Sequence, residues 1–193
     1  MSASIVNSSI YVYSTATNYG RHINYDSENL DSHYYEGEDV VYDLDLYNLD
    51  IAMIDGDVVL PFYIANQLFA GSSYYNVYYN YDKLYGIYAL PEEGSEAYNL
   101  IKNSEMSGKE IPVELVVHTF NTLAFNMDYF YGLQDIMNID TYYDYLFTRA
   151  DRLLSTNAKT LDQEIANFLL KDIDEPHTSY GYASYYNDPS WSG

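Results

Sequence analysis

Polar and apolar residues alternate along "VVYDLDLYNLDIAMIDGDVVL", residues 40–60, first around Tyr42, Leu44 and Leu46 and then around Leu49, Ile51 and Met53. A period of two is that of a strand with one buried face. Asp55-Gly56 is a tight-turn signal, so the pattern predicts a hairpin between 41–54 and 57–60. Pro61 suits a first helical turn, and "PFYIANQLF" places Phe62, Ala65, Leu68 and Phe69 on one helical face, with Gly71 closing the helix. "YYNVYYN" (74–80) and "KLYGIYAL" (83–90) read as two further strands, and "SIYVYS" (9–14) as a short one. Residues 1–39 are otherwise polar and rich in Tyr, Ser and Asn, and "NYDSENLDSHYYEGED" (24–39) has no clear period and reads as loop or edge structure.

Residues 91–111, "PEEGSEAYNLIKNSEMSGKEI", mix Pro, Gly, Ser and charge and read as a connector with a helical turn around 95–103. From Pro112 the period becomes helical. Val113, Val116, Val117, Phe120, Leu123, Ala124, Met127 and Phe130 recur at spacings of three and four. Asp140 or Thr141 can cap a second helix with Tyr143, Leu146, Phe147, Ala150 and Leu154 on its apolar face. Thr160 and Gln163 have the spacing of a capping box for a third, carrying Leu161, Ile165, Phe168 and Leu169, and Pro176 cannot continue it. The expected fold class is α+β: a β-rich module with one short helix over 1–90, a connector over 91–111, and an antiparallel three-helix bundle with its tail over 112–193.

Composition narrows the function classes. The 193 residues are 48% hydrophobic, enough to bury a core without disulfides or metals. The 26 tyrosines have rings that bury well and hydroxyls that need partners. Net charge is −21, from 29 acidic and 8 basic residues, and this field repels phosphate backbones and anionic lipid, which argues against nucleic-acid partners and membrane adsorption. The acids either keep an exported domain soluble or cradle a basic ligand or Ca²⁺. The absence of cysteine excludes a disulfide scaffold, a thiol nucleophile and a thiolate metal site. No apolar run reaches the length of a membrane span, and "MSASIVNSS" looks like a start placed after a removed leader.

Motifs for chemistry are sparse. His22, His33, His118 and His177 are scattered, and none has the i, i+3 or i, i+4 partner of a helical metal motif. "DLDLYNLD" (43–50) lacks the third ligand and the glycine of a calcium loop after Asp43 and Asp45, so alternating Asp on a wet strand face is the better account. No nucleophile elbow, phosphate loop or zinc-protease motif is present, so no cofactor and no metal are expected. "DEPHT" (174–178) remains. A His just past a helix end can present its ring as a general base, but the local residues favour the simpler account, in which Asp174 and Thr178 do no more than cap and terminate the bundle.

Three segments carry a resemblance to the N-terminal, pre-catalytic part of bacterial S41 serine peptidases, the family of C-terminal processing and tricorn-type proteases. "LAFNMDYFYGL" (123–133) is similar to that region's first bundle helix and its aromatic-Gly-Leu end. "LDQEIANFLLKDIDEPHTSY" (161–180) is similar to the helix leading to a Leu-x-Asp-x-His-Thr signature. Here it reads Ile173-Asp174-Glu175-Pro176-His177-Thr178, one residue longer unless Glu175 is the matching acid. "IDGDVVLPFYIANQLF" (54–69) is similar to a small sheet-plus-helix module that precedes the bundle in some members, and to the N-terminal domain of copper amine oxidases at about 40–90.

The resemblance implies a non-catalytic region that positions or gates a peptide or protein substrate for a downstream catalytic domain, in the extracellular space or cell envelope of a bacterium. It implies His177 as the one catalytic position that carries over. A hydrophobic patch left bare by a missing domain can drive homodimers. The rival expectation is an extracellular ligand-binding or adhesion module.

Overall fold

A computed structural model of the chain describes residues 3–6, 9–12, 40–70, 76–81, 83–88, 91–181 and 183–187. It combines small antiparallel sheets with several helices, in two compact units, Met1–Val59 and Leu60–Gly193. The short helix at 62–65 and the hairpin that follows it therefore share a unit with the long helices.

In the first unit, β1 (Ala3–Val6), β2 (Ser9–Val12) and β3 (Val40–Asp43) form an antiparallel sheet in that order. Ser9 pairs with Asp43 and Val12 with Val40. The expected strand over 41–54 is broken. Asp45–Tyr47 forms a 3₁₀ turn, and Asn48 leaves it in the left-handed region at φ 50. The 3₁₀ geometry eclipses positions three apart, and Leu44 and Tyr47 are both buried where a continuous strand would send them to opposite faces. Asp45 thus opens a turn and does not sit on the wet face of a strand.

The expected hairpin survives in shortened form as β4 (Ala52–Ile54) and β5 (Asp57–Val59). Its turn places Asp55 at φ 53 and Gly56 at φ 91, the double positive-φ arrangement of a type I′ turn, which Asp-Gly accommodates at little cost.

The second unit opens with α1 (Phe62–Ala65), which runs into a π-helical turn over Asn66–Ala70. Gly71, expected to close this helix, lies outside the described residues. Then β6 (Asn76–Tyr79) and β7 (Leu84–Ile87) pair antiparallel, Asn76 opposite Ile87 and Tyr79 opposite Leu84. The connector folds as α2 (Glu96–Lys102), capped by the Ser95 side chain accepting from Tyr98 N.

α3 (Val113–Phe130) follows Pro112, whose φ of −55 leads into the helix. Its buried face is Val116, Phe120, Ala124 and Met127 together with Asn121, Thr122 and Phe125. Val113, Val117 and Phe130 of the expected stripe are exposed, so the helix is rotated toward the 121–125 edge. There Phe125 meets the Tyr129 ring at a centroid distance of 4.9 Å. A short helix, α4 (Gln134–Met137), comes next.

The second expected helix is divided into α5 (Tyr142–Phe147) and α6 (Ala150–Leu153). Thr148 Oγ1 donates to Tyr145 O at 2.7 Å, and Arg149 N reaches back only three residues to Leu146 O at 2.9 Å. This tight turn redirects the chain, so that α5 packs on α3 while α6 packs on α7 (Ala158–Asn167).

Thr141 caps α5 through Asp144 N at 3.2 Å. Asp128 of α3 adds an acceptor at the same end, 2.6 Å from Tyr142 N. The cap of α7 is Asn157, accepting from Thr160 N at 3.0 Å, so that helix begins before the expected Thr160 box. It ends in a π-helical turn over Phe168–Ile173, and Asp174 follows at φ 45.

Tyr142, Leu146, Phe125 and Phe168 are fully buried. The Tyr142 and Phe168 rings meet edge to face at 6.1 Å, and side chains of this size each contribute on the order of 2–3 kcal/mol on burial.

Candidate functional site

A cleft of about 540 Å³ lies within the second unit, in the size range of small-molecule and peptide-side-chain pockets. Three walls define it. α3 presents one face, with Leu115, Thr119, Thr122, Leu123 and Asn126 at helical spacing. β6 contributes all four of its residues. The third wall is the C-terminal segment, with Tyr180 and residues 183–186.

That third wall is held by hydrogen bonds out of proportion to its length. Lys102, the last residue of α2, is only 3% exposed, and its Nζ donates to Ala183 O at 2.6 Å and Ser184 O at 3.0 Å. Ser107 Oγ lies 3.0 Å from Tyr185 O, and Gly108 N donates to Tyr186 O at 2.6 Å. The carbonyls of residues 183–186 are thus each matched to a donor from the 102–108 stretch.

Asp162, on the first turns of α7 and 1% exposed, takes the opposite role. It accepts from Tyr180 Oη at 2.8 Å, Ser184 N at 3.1 Å, Ser184 Oγ at 3.2 Å and Asn187 Nδ2 at 2.9 Å. A buried charge is tolerated only when hydrogen-bonded in this way.

Burial pulls the Lys102 ammonium below its ordinary value, and the Asp162 carboxylate works against that shift. Burial also pushes the Tyr180 phenol up, reinforced by the charge of Asp162 and the hydrogen bond to it. Tyr63 and Tyr185 are raised chiefly by burial. These phenols stay neutral through the physiological range.

Among the described residues, Lys102 and Asp162 are the only charged side chains on the cleft walls, and both are engaged by the C-terminal segment. The rest of the polar lining is neutral, made of tyrosine and threonine hydroxyls and asparagine and glutamine amides. Among the described residues of this surface, Asn126 Oδ1 is buried without a hydrogen-bond partner, and the buried Tyr185 and Tyr186 hydroxyls have no partner beyond each other.

Of the histidines, His22 and His33 lie outside the described residues. His118 is half-buried on α3. Its ring stacks on Tyr63 at 5.5 Å, it lies 3.5 Å from Thr122 Oγ1, and burial lowers its pKa. His177 does not line the cleft. It sits on an exposed turn, its side chain 93% exposed, with Nδ1 2.6 Å from Glu175 Oε1 and its backbone N–H donating to Glu175 Oε2 at 2.9 Å. Glu175 is therefore the acid that engages His177, while Asp174 supplies the left-handed residue at the helix end. Thr178 Oγ1 also faces Glu175 Oε2, at 3.4 Å.

A second charged cluster lies away from the cleft. Arg149 Nη1 meets Glu164 Oε1 at 2.7 Å and also pairs with Asp172, and Arg152 Nε meets Glu164 Oε2 at 2.7 Å. Among the described residues no group of three or more His, Cys, Asp or Glu could hold a metal, and no helix is long and apolar enough to cross a membrane. Comparison of the chain with family models, with curated proteins and with solved structures finds no match.

The Lys102–Asp162 arrangement is absent from the sequence-based site residues. A signal for Asp162 exists: it lies four residues before Ala166 and seven before Leu169, on an otherwise apolar helical arc. Lys102 gives no such signal, because it ends a short helix in a stretch rich in Ser, Gly and charge.

Proposed function

We propose that this chain is a non-catalytic, substrate-positioning region of an exported bacterial S41-like serine peptidase. It consists of a β-rich module followed by an antiparallel three-helix bundle, and it presents a peptide or protein substrate to a downstream catalytic domain. The observation that carries this reading is the cleft between α3, β6 and the C-terminal segment. Its neutral tyrosine and amide lining suits peptide groups, which have donors, acceptors and apolar faces in close alternation.

Ser184, on the cleft wall, and His177, outside it, are both engaged in ways that support a binding role. Ser184 Oγ donates to Asp162 Oδ2 at 3.2 Å, and His177 leans on Glu175 at 2.6 Å. A nucleophile needs a free base within hydrogen-bond reach, whereas the Asp162 carboxylate beside Ser184 is already taken by Tyr180, Ser184 N and Asn187, and His177 faces an acid and not a serine. The overall charge of −21 favours neutral or basic substrates over acidic ones.

The test is a titration of the isolated chain with a pool of blocked, uncharged and lysine-containing short peptides, followed by tyrosine fluorescence, alongside labelling with a serine-directed fluorophosphonate. Saturable peptide binding with no labelling is expected. Binding of a cell-wall glycan fragment but of no peptide moves the chain to the adhesion class. Labelling that disappears in His177→Ala makes it a hydrolase in its own right.

A further inference from the structure

We infer that the cleft takes an uncharged, extended peptide segment as an added strand along the outer edge of β6. This rests on the peptide-positioning reading above and specifies how the peptide is held.

The inference starts from the hairpin's hydrogen-bond alternation. Asn80 N donates to Lys83 O at 3.3 Å, so Asn80 and Lys83 are a bonded pair. In an antiparallel ladder such pairs alternate with non-bonded ones. Tyr78 opposite Tyr85 and Asn76 opposite Ile87 are then the bonded pairs. Val77 and Tyr79, opposite Gly86 and Leu84, turn their N–H and C=O groups away from β7.

The Val77 N–H confirms this direction, since it donates outward to Asn66 Oδ1 at 3.2 Å. Successive side chains of a strand point to opposite faces. A cavity lined by all four residues of β6 therefore meets the strand at its edge and not on one face.

The edge is thus a partly occupied template. A side-chain primary amide, Asn66, stands where the carbonyl of a neighbouring strand would stand, and it also lines the cleft. A peptide lying antiparallel or parallel to β6 replaces Asn66 Oδ1 at the Val77 N–H and gains the Val77 and Tyr79 carbonyls and the Tyr79 N–H. This is recognition by strand addition, in which main-chain bonds give affinity and pockets for alternate side chains give specificity.

The occupant's chemistry follows from the walls. Lys102 and Asp162 are consumed by the C-terminal segment, so among the described residues of the cleft no free charge is left to neutralise a charged ligand, and burying an unpaired charge is costly. Tyr63, Tyr185 and Thr119 instead offer aromatic faces and hydroxyls to small and apolar side chains.

The experiment uses the whole chain, the blocked peptide acetyl-Ala-Val-Thr-Val-Ala-amide, and the same peptide N-methylated at alternate residues. N-methylation keeps the side chains but removes the donors that strand addition needs. Binding of the unmodified peptide should weaken about ten-fold or more on methylation in at least one of the two alternating patterns, in line with loss of two or more interface hydrogen bonds. Its binding should also slow hydrogen exchange at the Tyr79 amide. Asn66→Ala removes the competitor for the Val77 N–H and should tighten binding by about five-fold.

Equal binding of unmodified and both methylated peptides, or unchanged exchange at Tyr79, overturns strand addition while leaving peptide recognition in place. Binding of neither peptide overturns both readings. The exchange measurement needs no variant, so it decides the matter even if Asn66→Ala folds poorly.

Discussion

Lys102 and Asp162 grip the same turn of chain through opposite chemistry. Lys102 Nζ donates to the carbonyls of Ala183 and Ser184, while Asp162 accepts from the Ser184 N–H and hydroxyl. One residue, Ser184, is thus held by an ammonium on its carbonyl and a carboxylate on its amide. The arrangement makes the C-terminal segment a fixed wall of the cleft and not a loose end.

The first prediction concerns that wall. Asp162→Ala leaves the Tyr180 and Ser184 hydroxyls, the Ser184 N–H and the Asn187 amide without their acceptor, and Lys102 without its nearby counter-charge. Removing one member of a buried charged network costs about 3–5 kcal/mol. Urea unfolding should show a loss of this order, and the 180–187 amides should exchange faster than those of α3. A loss below about 1 kcal/mol would mean that the segment is held mainly by its aromatic contacts.

The helical part of this architecture was largely legible in the sequence, and the reason is periodicity. Val116, Phe120, Ala124 and Met127 repeat over a long segment, where a spacing of three and four is unambiguous. The boundaries were less legible. The α7 cap fell to Asn157 because it sits one turn ahead of the Thr160 box and its side chain reaches Thr160 N first. The division between α5 and α6 turns on Thr148 bonding back to Tyr145 O, a local competition that an apolar count does not register. In 44–49, the alternation that reads as strand is equally compatible with a tight turn burying Leu44 and Tyr47. The cleft was illegible for a different reason. It is assembled from residues about 80 apart, such as Lys102 and Ala183, whose pairing depends on the tertiary fold.

Alkaline pH gives a second prediction. Burial raises the phenols of Tyr63, Tyr180, Tyr185 and Tyr186, and that of Tyr142 to about 12, from an ordinary value of 10.0. The unfolded chain releases these protons near pH 10 while the folded chain retains them, so stability is fully present below pH 10 and falls as pH rises toward the folded values. Lys102 acts oppositely, because its lowered folded value makes its contribution grow up to its unfolded value of 10.5. One lysine is outweighed by the tyrosines, so urea midpoints should decline between pH 10 and 12, with tyrosinate absorbance delayed relative to the unfolded chain. Tyr142→Phe sharpens the test. Its hydroxyl is buried without a hydrogen-bond partner, so the variant should match or exceed the parent at neutral pH and show a shallower alkaline decline.

The Arg149 cluster yields a comparison between neighbours. Arg149 bridges Glu164 and Asp172, whereas among the described residues Arg152 forms an ion pair with Glu164 alone and its side chain is 48% exposed. The Glu164 side chain is 6% exposed. Arg149→Ala strands one carboxylate and weakens the support of another, which should cost about 2–3 kcal/mol. Arg152→Ala loses a solvent-screened contact and should cost about 1 kcal/mol or less. Equal losses in urea unfolding would show that Glu164 depends on its total positive surroundings and not on the Arg149 bridge.

The Glu175–His177 pair is the last test, and it bears directly on the role that the peptidase resemblance gives to His177. The hydrogen bond that the Glu175 carboxylate accepts, together with its negative charge, raises the His177 pKa above 6.5, and the same contact lowers Glu175. Because the folded value of His177 is raised, its contribution is fully present below pH 6.5 and is lost as pH climbs through the folded value. The ring is 93% exposed and its partner is partly so, so the effect should be seen in the titration of His177 and scarcely in global stability. An NMR titration should therefore place His177 above the free imidazole, and Glu175→Gln should return it toward 6.5 while His118, lowered by burial on α3, does not move. A histidine held protonated at mildly acidic pH by its neighbour's charge is not available as a base there in the isolated chain. If a downstream domain recruits His177 to catalysis, Nδ1 can stay on Glu175 while the exposed Nε2 serves as the base, and Glu175→Gln should then change the pH profile of a chain that includes that domain. An unaltered profile would leave Glu175 as a turn-forming residue and His177 as its surface companion.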